Sequence, residues 1–389
     1  MKEPKIRFNG FEGEWEEHSL SENEFSIVAG GDIDKTNLKN SGKFPVIANA
    51  ITNDGILGYY ENSYRVQEPA VTVTGRGEVG IAVARHYSFT PVVRLLSIKS
   101  PHNVDFLANA INCYKVPVES TGVPQLTTAK LQEYRIPMPR TIEEEDAIAS
   151  FFTTIDAQIS ASTSRLASLK QIKAASLQAM FPQEGETVPK LRFKGFEGEW
   201  EKVKLNTFAK RVTRKNTNLE STLALTIASA QGLVSQIDYF NNLVIGSNIC
   251  NYYLLYKGEF AYNKSYSNGY PFGSVKRLDR YEKGILSTLY ITFSIDDSIS
   301  SDYLTQFFET TLWHKEVAER SAEGARNHGL LNIGAEDFLT INIVKPQSKE
   351  EQQMISDYFI SLDRQITLQT NRLEKLKQIK AACLDKMFV

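Results

Sequence analysis

The sequence predicts an α+β protein with a pseudo-two-fold internal repeat, in which two long antiparallel coiled-coil helices join two mixed, mostly β domains. The first observation is a motif that occurs twice, as PKIRFNGFEGEW at 4–15 and PKLRFKGFEGEW at 189–200, identical at ten of twelve positions. A second motif recurs as LASLKQIKAASLQAMF at 166–181 and LEKLKQIKAACLDKMF at 373–388, identical at eleven of sixteen positions. The third observation is a pair of long segments with helical periodicity. We call the motif at 4–15 and 189–200 the N-terminal repeat motif, and the motif at 166–181 and 373–388 the C-terminal repeat motif. Their recurrence indicates two tandem copies of one unit.

Composition sets broad limits on the protein class. At 389 residues the chain is long enough for two to three domains, and its net charge of −2 gives no global basic signature. Any nucleic-acid contact must therefore come from local basic groups or from partner subunits. Cys113, Cys250 and Cys383 lie far apart, which favours a reducing compartment over disulfides or a zinc site. The N-terminus lacks an apolar segment and no run of 18 apolar residues occurs, so we expect a cytoplasmic protein without membrane contact.

The first long helix is predicted over residues 141–182 and the second over 347–389. Neither glycine nor proline interrupts 141–181, Thr141 is a suitable N-cap, and acidic residues follow it. Ser348 is the corresponding cap of the second helix. Apolar residues in both segments recur at steps of three and four, the a and d positions of a coiled coil. These seam residues are Ile148, Phe152, Ile155, Ile159, Leu166 and Leu169 in the first helix, and Ile355, Phe359, Leu362, Ile366, Leu373 and Leu376 in the second.

One polar residue interrupts each seam, Ser162 in the first helix and Gln369 in the second. We interpret them as register-setting polar positions, although such residues are also simply tolerated. The linker 182–188 is short and polar, so the second domain must start near the end of the first helix. Its own helix then has to run back, which makes the pair antiparallel and brings the chain termini close together. The alternative is that each helix packs on its own domain.

The remaining sequence falls into two dissimilar β-rich domains, 1–140 and 183–346. The first contains the strand-like runs FPVIANA, AVTVTG, GIAVARHY and VVRLLSI; the second contains LALTIA, LVIG, YYLLY, FAYN and LYITFSI. One helix is predicted in each domain, over 104–114 and 303–320. Glycine turns that carry Arg, Lys, Asn and Tyr separate the strands. Such residues contact phosphates and bases, but they are equally typical of ordinary turns.

No sequence motif for catalysis is present. The chain lacks a P-loop, a nucleophile elbow and the N-P-P-[YFW] or D-P-P-Y tetrapeptide of amino-methyltransferases. The five histidines show no metal-ligand spacing, so no metal site is predicted. These absences favour a binding protein over an enzyme.

The two repeat motifs, the two variable domains and the two long helices resemble the specificity (S) subunit of type I restriction–modification enzymes. The resemblance extends over the whole chain. It implies that each domain is a target-recognition domain for one half of a split, asymmetric DNA sequence, and that the helices set the gap between the halves. It also implies two modification subunits that bind S-adenosylmethionine and methylate adenine at N6, and restriction subunits that use ATP and Mg²⁺. The S subunit itself would need no cofactor and would be non-catalytic.

The resemblance also directs attention to cationic and amide side chains in the glycine turns as DNA contacts. We predict contacts by Arg76, Arg85 and His86 in the first domain, and by Asn263, Lys264, Asn268, Arg277 and Arg326 in the second. Arginine pairs well with guanine and asparagine with adenine. Two other functions remain open on the sequence: a coiled-coil adaptor that bridges two proteins, and a free-standing DNA-modifying enzyme, which the absent motifs disfavour.

Overall fold

The chain folds into two compact units. The first comprises Met1–Arg165 and Gln369–Val389, and the second comprises Leu166–Leu368. The structure is a computed structural model that describes residues 3–114, 124–229, 231–240, 248–321 and 331–389.

The first unit combines a β-rich domain with parts of both long helices. Its strands are β1 (Glu16–Ser19), β2 (Ser26–Ala29), β3 (Phe44–Ile47), β4 (Ile56–Tyr60), β5 (Ala70–Thr74), β6 (Ala82–Arg85), β7 (Thr90–Pro91), β8 (Leu95–Lys99) and β9 (Arg135–Met138). Its helices are α1 (Val104–Cys113), α2 (Thr128–Gln132) and the start of α3 (Ile142–Met180). The largest sheet is antiparallel with strand order β2-β8-β5-β6, beside a three-stranded sheet β4-β3-β7 and the pair β1-β9.

The second unit has more and shorter sheets. Its strands are β10 (Glu201–Lys204), β11 (Ala209–Arg211), β12 (Leu225–Ala228), β13 (Gly232–Ser235), β14 (Tyr253–Tyr256), β15 (Phe260–Asn263), β16 (Ser274–Arg277), β17 (Lys283–Leu286), β18 (Ile291–Ile295) and β19 (Asn342–Lys345). Its helices are α4 (Gln236–Phe240), α5 (Ser301–Phe307), α6 (His314–Arg320), α7 (Ala335–Leu339) and the start of α8 (Lys349–Met387). The main sheet has the order β11-β18-β15-β16, beside the pairs β12-β13, β14-β17 and β10-β19.

The two main sheets share one topology although their sequences do not resemble each other. In each, the first strand pairs with the last, the last pairs with a central strand, and that strand forms a hairpin with the edge strand. The pairs β1-β9 and β10-β19 are also equivalent, since each joins the strand after an N-terminal repeat motif to the strand before a long helix. The internal repeat therefore extends into the dissimilar domains.

The segment 303–320 differs from its sequence-based expectation. The helix predicted over 303–320 is wrong, because the structure has two helices, α5 and α6, in that segment. Trp313 is buried between them and donates its indole N–H to the carbonyl of Phe308, which ends α5. The strand predicted for LVIG at 243–246 lies outside the described residues.

The N-terminal repeat motif has the same structural role in both units. Arg7 binds the Glu144 carboxylate through Nε and Nη2 at 2.7 and 2.8 Å, and Arg192 binds Glu351 at the same distances. Both glutamates lie in the first turn of a long helix and are almost fully buried. These hydrogen bonds raise the pKa of both arginines. The N-terminal repeat motif thus connects each β-rich domain to the start of its long helix through an arginine–glutamate ion pair.

The C-terminal repeat motif completes each core. In the first unit the Trp15 ring packs edge-on against Phe388 at 6.2 Å, and in the second Trp200 packs edge-on against Phe181 at 5.9 Å. Each contact joins the N-terminal motif of one copy to the C-terminal motif of the other copy. The predicted proximity of the termini is confirmed, because the Ile6 N–H donates to the carbonyl of Lys386 at 3.0 Å.

The long helices pair antiparallel in the first unit. Lys380 Nζ lies 2.6 Å from Asp156 Oδ1, and Gln369 Nε2 donates to the backbone carbonyl of Ser162 at 3.2 Å. Residue numbers rise on α3 as they fall on α8, which confirms the predicted direction. The two polar seam residues, Ser162 and Gln369, contact each other and are buried.

The same helix pairing occurs in the second unit, with the lysine and the aspartate on the opposite helices. Lys173 Nζ lies 2.6 Å from Asp363 Oδ1, and the hydroxyls of Ser176 and Tyr358 share a hydrogen bond of 2.9 Å. The lysine–aspartate pair thus occurs once in each unit, with the lysine on α8 in the first and on α3 in the second. This exchange is the pseudo-two-fold symmetry that the repeated motifs predict. Each helix has 39 residues and is about 58 Å long.

Candidate nucleic-acid interface

In both units the predicted contact residues that the structure describes lie on or next to the hairpin at the edge of the main sheet. In the first unit this is β5–β6, with a turn over 75–81. Arg76 is exposed in that turn. Gly75 precedes it at a point where a Cβ atom would lie 2.2 Å from the carbonyl oxygen of Arg94. Only glycine allows this close backbone approach, so the turn that presents Arg76 depends on it.

A second loop, 48–55, is hydrogen-bonded to this turn. None of its residues is among the predicted contacts. Asn49 accepts a hydrogen bond from the Gly75 N–H at 2.8 Å and donates to the Val93 carbonyl at 3.0 Å. Asn53, Asp54 and Gly55 all have positive φ, a run that Asn, Asp and Gly tolerate best. The sequence NDG carries this signal, because such residues favour left-handed turns.

The structure places the side chain of Arg85 in a buried network of polar contacts. Its side chain is 4% exposed, and its guanidinium binds the Thr72 hydroxyl, the Tyr87 hydroxyl and the Asp54 carboxylate. Tyr87 also donates to Asp54 at 2.7 Å. Arg85 has therefore no exposed donor for DNA and instead holds the 48–55 loop in place. The partner Asp54 lies 31 residues earlier in the chain, so the sequence pattern gives no sign of this pairing.

His86 is exposed but lies at the other end of the hairpin from Arg76. Its ring nitrogen Nε2 is 3.0 Å from the carboxylate of Asp105 in the first turn of α1. The structure therefore separates the three predicted contacts of the first domain. Arg76 lies in the turn, whereas Arg85 and His86 follow β6.

In the second unit the equivalent hairpin is β15–β16, with a ten-residue turn over 264–273. Ser267 and Tyr270 exchange two backbone hydrogen bonds, so Asn268 and Gly269 form the tip. Gly269 has φ +82°, and Asn268 is exposed beside it. Tyr266 is 64% exposed on the same turn. It is absent from the predicted contacts, although aromatic side chains in glycine-rich turns are suited to pack on sugars and bases.

Two hydrogen bonds and one close backbone approach define the base of this turn. Asn263 accepts the Ser265 N–H at 3.0 Å, and Lys264 Nζ is 3.4 Å from the carbonyl of Ile333. A Cβ atom on Gly273 would lie 1.9 Å from the Asn263 carbonyl, at a φ of +76°. Asn263, Lys264 and Asn268 are thus brought together in one turn, but only Asn268 is exposed at its tip.

Arg277 is held by polar partners in a similar way. Its guanidinium binds Asp279 at 2.6 Å, Asp302 at 2.7 Å and the Ser301 hydroxyl at 2.8 Å, and the side chain is 17% exposed. Burial alone lowers the pKa of Arg277, but the two carboxylates outweigh burial and raise it. Like Arg85, it ends the edge strand and stabilises the fold. Arg326 lies outside the described residues.

These observations define a class of protein: an internal repeat of two β-rich units with equivalent hairpins that carry different exposed side chains. Among the described residues, no helix combines the length and apolar character needed to cross a membrane. Residues 12–171 match the family model of the type I restriction modification DNA specificity domain.

Relatives from Mycoplasma pneumoniae agree with this match. A protein named as type I specificity subunit S.MpnORF507P is 31% identical over 28% of this chain and 30% of its own length. Another, the C-terminus of S.MpnORF289P, is 30% identical over 25% of this chain and 72% of its own length. The chain spans less than half the length of the first two curated relatives it matches.

A solved structure matches the fold of the whole chain. The crystal structure of the type I restriction–modification S subunit from M. genitalium has a TM-score of 0.68 at 13% identity, and the match covers 100% of this chain and 99% of that chain. The predicted fold class is confirmed. The chain belongs to the family of type I restriction–modification specificity subunits.

Proposed function

We propose that this chain is the DNA-recognition subunit of a type I restriction–modification complex. Each β-rich domain binds one half of a split, asymmetric target in double-stranded DNA. The observation that carries this proposal is the equivalence of the two main sheets, which present different turns from the same edge hairpin. Equivalent placement gives both domains one mode of docking, and different turn chemistry gives them different base preferences.

The chemistry of the two turns supports distinct half-sites. The turn 75–81 exposes the guanidinium of Arg76, which suits the N7 and O6 acceptors of guanine. The turn 264–273 exposes the amide of Asn268, which suits adenine, and the ring of Tyr266, which packs on sugar or base. Two tethered domains bind both half-sites at once, so their binding free energies combine without a second association cost. Weak domains therefore suffice for a tight complex.

The long helices are proposed to fix the gap between the half-sites and to bind two modification subunits. The C-terminal repeat motif supports the second role. Its isoleucine is exposed in both copies, Ile172 at 47% in the second unit and Ile379 at 40% in the first, within the identical sequence LKQIKAA. Two exposed isoleucines in identical sequence contexts, one in each unit, are suited to two copies of one partner.

The remaining activities of the complex are assigned to those partners. The modification subunits hold S-adenosylmethionine and methylate adenine, and the restriction subunits use ATP and Mg²⁺ in the cytoplasm. This chain contributes recognition and positioning but no catalytic group.

A domain exchange tests the one-domain, one-half-site model. Residues 206–346 are replaced by the corresponding domain of another specificity subunit, and methylated sites are mapped across a genome. We expect one half-site to change and the other half-site and the gap to stay the same. A change in both half-sites would contradict the model. A gel shift with and without the modification subunits separates this function from a protein adaptor, which would give no sequence-specific shift.

Insertion of one heptad into both helices tests their role in spacing. The insertion lengthens each helix by about 10.5 Å, which corresponds to about three base pairs of DNA. We expect the unrecognised gap to lengthen while both half-sites are retained. An unchanged gap would show that the helices do not set it.

Substitution of the exposed isoleucines tests partner binding. Ile172→Arg or Ile379→Arg alone is expected to reduce bound modification subunits from two to one, and the double variant to none, as measured by native mass spectrometry. Leu368→Arg is a matched control, because Leu368 is 60% exposed on α8 outside the motif. Retention of two subunits by the double variant would contradict this docking surface.

A further inference from the structure

Two histidines and a glutamate meet in the first unit, away from the candidate DNA interface. His18 lies on β1, Glu24 follows in the next turn, and His102 precedes α1. Glu24 Oε1 is 2.8 Å from His18 Nδ1 and 3.6 Å from His102 Nε2. One ligand atom from each residue lies within 4.8 Å of the others. The sequence predicts no metal site, because these residues are far apart along the chain and match no local motif.

His102 is held rigidly with one nitrogen facing the cluster. Its Nδ1 is 2.8 Å from Glu145 Oε1, a carboxylate on α3 that is 1% exposed, and the Phe25 ring stacks on the imidazole at 5.5 Å. Its Nε2 is buried, and the 3.6 Å to Glu24 is too long for a hydrogen bond. A carboxylate on one ring nitrogen is the usual support of a metal-binding histidine, because it fixes the tautomer and leaves the other nitrogen as a donor to the metal.

We propose that His18, Glu24 and His102 form a site for a divalent transition-metal ion, with Zn²⁺ as the best match. Two imidazoles and one carboxylate are a ligand set that Zn²⁺ prefers. Tetrahedral Zn²⁺ with bonds of about 2.0–2.1 Å places its ligand atoms about 3.4 Å apart. The separations of 2.8 and 3.6 Å lie on either side of this value. Glu22 Oε2, 3.2 Å from His18 Nδ1, or a water molecule supplies the fourth ligand.

The electrostatics of the site favour a cation. Two carboxylates, Glu145 and Glu24, lie 2.8 and 3.6 Å from the His102 ring nitrogens. Their negative charge attracts a metal ion. A proton shared by the cluster is the competing occupant, and metal binding has to displace it.

The second unit supplies an internal comparison. The backbone N–H of the helix N-cap bonds a side chain of the long helix in both units, Asn103 to Glu145 at 2.9 Å and Ser300 to Gln352 at 2.8 Å. This contact and the pairing of β1-β9 with β10-β19 align the two sites. The second unit has Val203 in place of His18, Ile299 in place of His102, and Gln352 in place of Glu145. The second unit adopts the same local fold without these polar side chains. The fold therefore does not require the polar cluster of the first unit.

Metal binding would therefore act on the first unit alone. The ion would join β1, the turn that follows and the segment before α1, and Glu145 extends that link to α3. Because an ion that binds only the folded state stabilises it by mass action, Zn²⁺ should raise the unfolding temperature of this unit.

The experiment uses the full chain, freed of metal with a chelator, and titrates it with ZnCl₂ and CoCl₂. We expect one Zn²⁺ per chain with a Kd tighter than about 10 μM, and a Co²⁺ absorption spectrum typical of nitrogen and oxygen ligands. His102→Ile and His18→Val, which install the residues of the second unit, should abolish this binding. Glu145→Gln should weaken it about 10–100-fold, as loss of a supporting carboxylate does. Cys250→Ser is the control and should leave affinity unchanged.

The outcomes separate the alternatives. Binding lost with His102→Ile but kept with Cys250→Ser supports the site. Failure of the wild-type chain to bind Zn²⁺, unchanged affinity in His102→Ile, or sulfur ligands in the Co²⁺ spectrum would overturn it and leave a proton-sharing network. The wild-type spectrum decides the case even if a histidine variant fails to fold.

Discussion

The ion pair between Arg192 and Glu351 gives the sharpest test of how the repeat motif stabilises the fold. The Glu351 carboxylate is 1% exposed and accepts two hydrogen bonds from the guanidinium. The same guanidinium donates to the carbonyls of Gly198 at 2.6 Å and Glu197 at 3.0 Å. Arg192→Ala removes all four hydrogen bonds and leaves a buried carboxylate without its counter-ion.

Loss of one partner of a buried ion pair costs about 3–5 kcal/mol, because the remaining charge is desolvated and uncompensated. For a unit of about 200 residues, each kcal/mol lowers the unfolding temperature by about 2–4 °C. The second unit should therefore unfold about 6–20 °C lower in Arg192→Ala. Adding Glu351→Gln removes the unpaired charge, and we expect the double variant to be more stable than Arg192→Ala by over about 1 kcal/mol.

The assay is thermal unfolding followed by tryptophan fluorescence in a Trp15→Phe background. The chain has three tryptophans, and the remaining two, Trp200 and Trp313, both belong to the second unit. Arg211→Ala is the matched control, because its ion pair with Glu336 spans 3.8 Å between exposed side chains and should contribute under about 1 kcal/mol. Equal effects of the two arginine variants, or no gain from Glu351→Gln, would refute the argument.

Three further predictions concern the turn, the helix surface and the seam. Gly273→Ala should lower the free energy of unfolding by over about 2 kcal/mol and weaken DNA binding in a gel shift. Gly269→Ala, with open space around its Cβ, should lower it by about 1 kcal/mol because of its positive φ alone. Equal losses in the two variants would contradict the close-approach argument. Lys380→Glu should destabilise the first unit by up to about 1 kcal/mol at low salt. Stability should recover at high salt, or when Asp156→Lys is added to the variant. No recovery in either case would exclude a charge effect. Gln369→Leu should raise the free energy of unfolding by about 1 kcal/mol, since a polar seam residue sets register at a cost in stability; a decrease measured by denaturant titration would show that the polar contact stabilises the pair.

The long helices were predictable because their signal is local. A seam residue every three or four positions indicates the buried face of each helix. The caps Thr141 and Ser348 were predictable because each precedes an acidic first turn. Ser162 and Gln369 were predictable as polar seam positions, but their contact was not. Most strands follow from short β-branched runs for the same reason. The break between α5 and α6 does not, because it depends on the burial of Trp313 rather than on a helix-breaking residue.

The ion pairs of Arg85 and Arg277 could not be predicted from the sequence, and the physical reason is the same for both. Arg85 and Arg277 stand in glycine- and tyrosine-rich stretches that resemble DNA-binding loops, but their carboxylate partners come from distant segments, Asp54 and Asp302. The histidine cluster was missed for the same reason. Side chains whose role depends on contacts across the fold cannot be assigned from neighbours in sequence, whereas the exposed tips of turns, such as Arg76 and Asn268, are visible in the local pattern.

The Arg–Glu pairs and the Trp–Phe contacts share one property with an evolutionary consequence. Both sides of the Trp–Phe contact belong to the repeated motifs, and both carboxylates lie in the first turn of the long helices, so none of these groups comes from the variable turns. The Arg–Glu and Trp–Phe contacts themselves therefore need no compensating change when mutations accumulate in the variable turns. Under the proposed function, such mutations can alter the preferred DNA sequence while these contacts are inherited unchanged.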